Sequence, residues 1–191
     1  MKTAIILHGM PSKKEYFNSK SQAQSSKHWL PWLQRQLILK GALAQTVELP
    51  EPYKPVYKKW RSAFEQFILR KDTMLIGHSC GAGFLVRWLS ENKKIKVGKV
   101  ALVAPWLDPD HWLKTGFFNF TIDPNLAKRT HELIIFVSKD DNCEMLKSVK
   151  MLKETLKGGN ITVKEFTDKG HFTFGDMKTE KFPELLKALI S

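Results

Sequence analysis

Six short apolar runs divide this chain, and most of the stretches between them carry apolar residues at helical spacing. The runs are Lys2 to His8, Ala42 to Leu49, Asp72 to Gly77, Val97 to Ala104, Leu133 to Ser138 and Ile161 to Phe166. Helical patterns fall between them. They cover His28 to Lys40, Val56 to Leu69, the segment carrying Phe84, Leu85, Trp88 and Leu89, and Glu144 to Leu156, with a last short one opening at Pro183. Strands separated by helices cannot pair as hairpins, because each crossover returns the chain parallel to the strand it left. The pattern predicts an α/β fold, with a six-stranded parallel sheet and helices on both faces. With 191 residues and no internal repeat or linker, one domain spanning 1–191 accounts for the chain.

Two stretches depart from this rhythm. Pro11 to Lys27 is polar and aperiodic and reads as an exposed loop. Trp106 to Thr130 is long for a connection and rich in aromatic residues, as binding elements and lids often are.

Composition narrows the function classes. Hydrophobic residues at 42% and charged residues at 26% exclude a disordered or low-complexity chain. The formal charge of +12 raises the prior for an anionic partner. The lysines come in short groups such as Lys13-Lys14, Lys58-Lys59 and Lys93-Lys94 with no recognition motif, so solvated helix faces explain them and no specific nucleic-acid partner is predicted. Cys80 and Cys143 form neither a disulfide framework nor a Cys-rich zinc site, which makes the reducing cytoplasm the expected compartment. His28, His78, His111 and His131 lack metal-ligand spacing, and the glycines form neither a phosphate loop nor a dinucleotide fingerprint. No metal and no cofactor are expected. No apolar run is long enough to span a bilayer, and the first run is too short for a signal peptide's apolar region.

The string that carries chemistry is Gly77-His78-Ser79-Cys80-Gly81-Ala82-Gly83, which fits G-x-S-x-G where a predicted strand meets a predicted helix. A turn this tight needs glycines on both sides of the serine, and it pushes the Ser79 hydroxyl out of the sheet edge. The helix starting there leaves the Cys80 amide free to stabilise an oxyanion. A serine alcohol needs a base, and the base needs an orienting acid. Ser138-Lys139-Asp140-Asp141 follows the fifth strand and Lys169-Gly170-His171-Phe172 follows the sixth, so acid and base arrive in the required chain order and on the required edge. His8-Gly9-Met10 ends the first strand, and the Met10 amide is the candidate second oxyanion donor. Trp106, Phe117 and Phe118 of the long connection, together with Trp29 and Trp32, are candidate walls of an acyl pocket.

These same strings resemble those of the small α/β-hydrolases of the retinoblastoma-binding protein 9 and YdeN type, with a weaker match at Gly116-Phe117-Phe118. The resemblance implies a minimal hydrolase core with strand order 2-1-3-4-5-6, no separate cap domain and a Ser-Asp-His triad. Carried over, Ser79 is the nucleophile and His171 the base. The family's turn also holds two consecutive aspartates with the triad member second, which makes Asp141 the acid and Asp140 the fallback. The expected function is hydrolysis of a small acyl ester, thioester or amide through an acyl-enzyme, in the manner of a carboxylesterase. The rival readings are a non-catalytic interaction module on a hydrolase scaffold and a basic nucleic-acid binder.

Overall fold

A computed structural model describes residues 2–191. Its strands are β1 (Thr3–Leu7), β2 (Leu43–Val47), β3 (Met74–His78), β4 (Val97–Val103), β5 (Thr130–Ser138) and β6 (Ile161–Phe166). They form one sheet in the order β2-β1-β3-β4-β5-β6, with every neighbouring pair parallel, as expected. The helices are α1 (Lys13–Tyr16), α2 (Leu30–Leu39), α3 (Tyr57–Phe64), α4 (Cys80–Glu91), α5 (Cys143–Thr155), α6 (Phe174–Met177) and α7 (Pro183–Ile190).

The central strands read as unbroken apolar runs because both of their faces are buried. Alternate residues divide cleanly between two cores. Ile5, Leu7, Leu75, Val100, Leu102, Leu133 and Ile135 pack under α3, α4 and α5, where Trp60, Phe64, Phe84, Leu85 and Val149 meet them. Ala4, Ile6, Ile76, Ala101, Val103, Ile134 and Phe136 face α2 and α7, with Leu33, Leu37, Leu185 and Leu189.

Two local expectations need correction. Pro11 to Lys27 is not all loop: Ser12 Oγ caps α1 by accepting the Glu15 N–H at 3.1 Å, and Gln24–Ser26 forms a 3-10 turn. Both elements are too short and too polar to leave a periodic signal. The third helix stops at Phe64 instead of reaching Leu69. Trp60 and Phe64 are buried, but Ile68 is 81% exposed and has no core to face. The long Trp106 to Thr130 connection is tied down by polar contacts to its backbone. The Asp108 carboxylate accepts the Trp112 and Leu113 amides, and Arg87 donates to the Gly116 and Phe117 carbonyls.

The strand order reverses at β1. The chain leaves β1 for β2 on one side and returns to β3 on the other, so the loops after β1 and β3 part at their carboxyl ends. Crevices at such switch points are where open α/β sheets place their ligand sites.

Candidate active site

Ser79 stands between β3 and α4 with φ 53° and ψ −119°, a backbone state that non-glycine residues rarely adopt. Its amide donates to the Val103 carbonyl at 2.9 Å, and its own carbonyl accepts the Trp106 and Gly83 amides. The flanking glycines are a steric requirement. A Cβ on Gly77 would lie 2.6 Å from the Ala82 backbone, and one on Gly81 would lie 2.4 Å from the His8 carbonyl oxygen. As the first residue of α4, Cys80 has an amide that the helix leaves free. Its thiol is buried, which pushes its pKa well up and leaves it inert as a nucleophile. Cys143, at the start of α5, is exposed.

His171 follows β6, and its Nδ1 lies 3.0 and 3.1 Å from the two carboxylate oxygens of Asp141, whose side chain is 1% exposed. Asp140 acts elsewhere, accepting from the Ser138 hydroxyl and the Gly170 amide and so drawing together the turns after β5 and β6. Three further bonds hold the histidine's loop. The Lys169 amide donates to Ser138 Oγ at 3.0 Å, the His171 amide to Asp176 at 3.1 Å, and His78 Nε2–H to the His171 carbonyl at 2.8 Å. His78 is fully buried beside His171 and His28, so burial and its neighbours hold it well below the ordinary pKa of 6.5, and the neutral ring carries its proton on Nε2. Ser79 and His171 line one cleft, and among the described residues no hydrogen bond joins them. In hydrolases that contact often tightens only with substrate.

His8 organises the turn after β1. Its Nε2 accepts the Leu49 amide at 2.9 Å, which leaves the proton on Nδ1 to be donated to the Gly9 carbonyl at 2.8 Å. Burial keeps the ring neutral. Met10 lines the cleft together with Ser79, and its amide makes no backbone hydrogen bond among the described residues.

The cleft encloses about 220 Å³ and is lined by His8, Gly9, Met10, Pro11, Glu15, Gln24, His28, His78, Ser79, His171 and Thr173. None of the aromatics expected as acyl-pocket walls is among them. Trp29 is fully buried behind His78, with ring centres 5.8 Å apart, and also packs on Phe182. Phe117 is core, edge-on to Trp60 at 5.0 Å. Trp106 donates its indole N–H to Glu144, and Phe118 packs on it. Their apolar bulk closes the core beneath the long connection, so their side chains are spent before the cleft is reached. Trp32, partly buried, packs on the core beneath α2.

Conversely, two of the histidines that look scattered in sequence converge on His171: the rings of His28 and His78 are 5.8 Å apart, and those of His78 and His171 are 5.0 Å apart. His8 directly follows β1 and His78 ends β3, positions that could have marked them; His28 carries no such signal. No group of three His, Cys, Asp or Glu residues suited to a metal ion occurs among the described residues, and no helix there is long and apolar enough to cross a membrane.

Comparison with known proteins agrees with this architecture. The family model described as "Serine hydrolase" matches residues 20–189. YdeN of Bacillus subtilis is 25% identical over 167 residues, 84% of this chain and 86% of that protein. The crystal structure of the B. subtilis ydeN gene product superposes with a TM-score of 0.77 at 21% identity, covering 99% of this chain and 97% of that one. Est1E of Butyrivibrio proteoclasticus, with ferulic acid bound, superposes at a TM-score of 0.64 and 13% identity, over 99% of this chain and 86% of that one.

Proposed function

The chain belongs to the serine hydrolase family, and from that premise we propose that it cleaves small acyl esters, in the manner of a carboxylesterase, with Ser79, His171 and Asp141 as its triad. The observation that carries this reading is the pairing of His171 Nδ1 with a buried Asp141 carboxylate, on the same cleft into which the strained turn projects Ser79.

With Nδ1–H held by Asp141, the free ring nitrogen of His171 is the basic one. It takes the Ser79 proton as Oγ attacks the acyl carbonyl carbon. The resulting oxyanion is met by the amides of Cys80 and Met10. Collapse breaks the bond to the leaving group, which departs with the proton from His171 and leaves an acyl-serine. Water then gives a proton to His171 and attacks the acyl carbon; Ser79 recovers the proton and the acid is released.

The cleft restricts the substrate in two ways. Its volume of about 220 Å³ falls below the roughly 300–1,000 Å³ of pockets for drug-sized ligands, which favours short acyl groups. Neither Lys nor Arg lines it, and Glu15 is ion-paired with Lys27, so the excess positive charge lies outside the reacting centre and a neutral substrate is favoured. Thioesters and activated amides react by the same steps, and an acyl-substrate panel ranks them. A fluorophosphonate probe is expected to label the wild-type chain and not Ser79→Ala; equal labelling of both would sink the nucleophile assignment.

A further inference from the structure

His28 is held in an unusual way for a residue the triad does not use. Its backbone adopts φ 56°, in the left-handed region. The next residue, Trp29, is wholly buried and anchors it. The ring is clamped from the far end of the chain: the Phe174 amide donates to His28 Nδ1 at 3.0 Å. A nitrogen that accepts a hydrogen bond carries no proton, so the neutral ring must carry its proton on Nε2. Burial and the nearby Lys27 hold His28 below its ordinary pKa, which keeps it in that neutral form.

Among the described residues the Nε2–H has no hydrogen-bond partner. The buried polar side-chain atoms left without one, among the described residues, are Trp29 Nε1, Thr115 Oγ1 and Arg129 Nε. His28 Nε2 is not one of them. It is therefore open, and the residue lines the cleft together with Ser79 and His171. A rigid donor set in a cleft wall, with its tautomer fixed from behind, is suited to bind an acceptor on a ligand.

The placement shows which part of a substrate it would meet. Phe174, which clamps His28, lies three residues beyond His171, and His28 stands next to His78, whose ring neighbours that of His171. His28 thus stands at the His171 end of the cleft, and it is from His171 that the leaving group takes its proton. We infer that His28 forms a leaving-group subsite, in which its Nε2–H binds a neutral oxygen acceptor (ether, hydroxyl or carbonyl) on the departing alcohol. The inference rests on the proposed acyl transfer at Ser79. A neutral oxygen fits better than an anion because the nearest cation, Lys27, is already paired with Glu15.

Two acetates of equal length test it: 2-methoxyethyl acetate and n-butyl acetate, which differ by an oxygen in place of a methylene in the alcohol. Wild type is expected to favour the ether ester in kcat/KM by roughly fivefold, the worth of one neutral hydrogen bond. His28→Phe should bring the ratio close to one, with the loss falling on the ether ester. His28→Gln, whose amide can accept from Phe174 and still donate, should restore part of it. A wild-type enzyme without preference, or an equal fall on both esters in His28→Phe, overturns the subsite. Fluorophosphonate labelling of the same proteins separates the two readings: a wild type that does not label refutes acyl transfer itself, while full labelling with an unchanged ester ratio refutes only the subsite.

Discussion

The two walls around Ser79 are built by different physics. On one side the elbow is backbone against backbone: Gly77 lies on α4, Gly81 lies on the end of β1, and a side chain at either would force backbone to shift. On the other side the close approach at Gly170 is to the Asp176 side chain and not to backbone, and the His171 loop is placed by polar bonds from Asp140, Asp141, Ser138, His78 and Asp176. The nucleophile is positioned by exclusion and the base by attraction. Damage to the first wall should therefore be abrupt, and damage to the second should be graded bond by bond.

Substitutions at the two adjacent aspartates probe the second wall most directly. Asp141→Asn keeps the shape but loses the charge and the tautomer preference, and kcat should fall by about 10⁴-fold in steady-state ester hydrolysis. A fall of tenfold or less would mean that Asp141 does not orient the base. On the first wall, Gly81→Ala should cost about 1–3 kcal/mol of stability in urea denaturation, through overpacking against the His8 carbonyl, and should lose probe labelling along with it. A variant that keeps both would show that the elbow is softer than the geometry implies. Asp140→Asn, which keeps an acceptor oxygen and does not touch the imidazole, should lower kcat by only about tenfold, through weaker bonds from the Ser138 hydroxyl and the Gly170 amide. If Asp140→Asn outweighs Asp141→Asn, the two roles are exchanged.

The smallest effect is one of pH. His8, His28 and His78 are all held neutral in the fold, below their ordinary value of 6.5. Below pH 6.5 the unfolded chain takes up protons that the folded chain refuses, so stability falls as pH drops through that window and is fully present above it. The carboxylates whose pKa values are lowered, such as Asp123 and Glu132, also lose stability on acidification, but only below their ordinary values of 3.8 and 4.5. Urea midpoints at pH 7.5 and 5.5 should differ for wild type and differ less for His78→Gln. An unchanged slope would show that His78 is not kept neutral.

Legibility in the sequence follows the same division. The elbow is local, seven residues from Gly77 to Gly83, and its glycines by themselves announce a close approach of backbone to backbone. The six strands are legible because burial on both faces leaves them continuously apolar. Where partners come from far along the chain, legibility ends. Nothing near His28 in sequence announces Phe174, and Trp29 and Phe117 carry the same aromatic signal whether they line a pocket or, as here, fill a core. Asp140 and Asp141 can be told apart only through the resemblance, because adjacent carboxylates after a strand differ in direction, which sequence does not record.

The parallel sheet also bears on how the chain acquires its structure. No two neighbouring strands are joined by a hairpin: Thr3 pairs with Leu43, Ala4 with Met74, and Leu133 with Ile161. Each pairing closes a long loop before it is rewarded, which is the topology of slow folders. Since His171 lies beyond β6, the proposed triad has no early assembly. A nascent chain can complete its elbow once β4 has left the ribosome, yet it gains its base only after β5, α5 and β6 have followed.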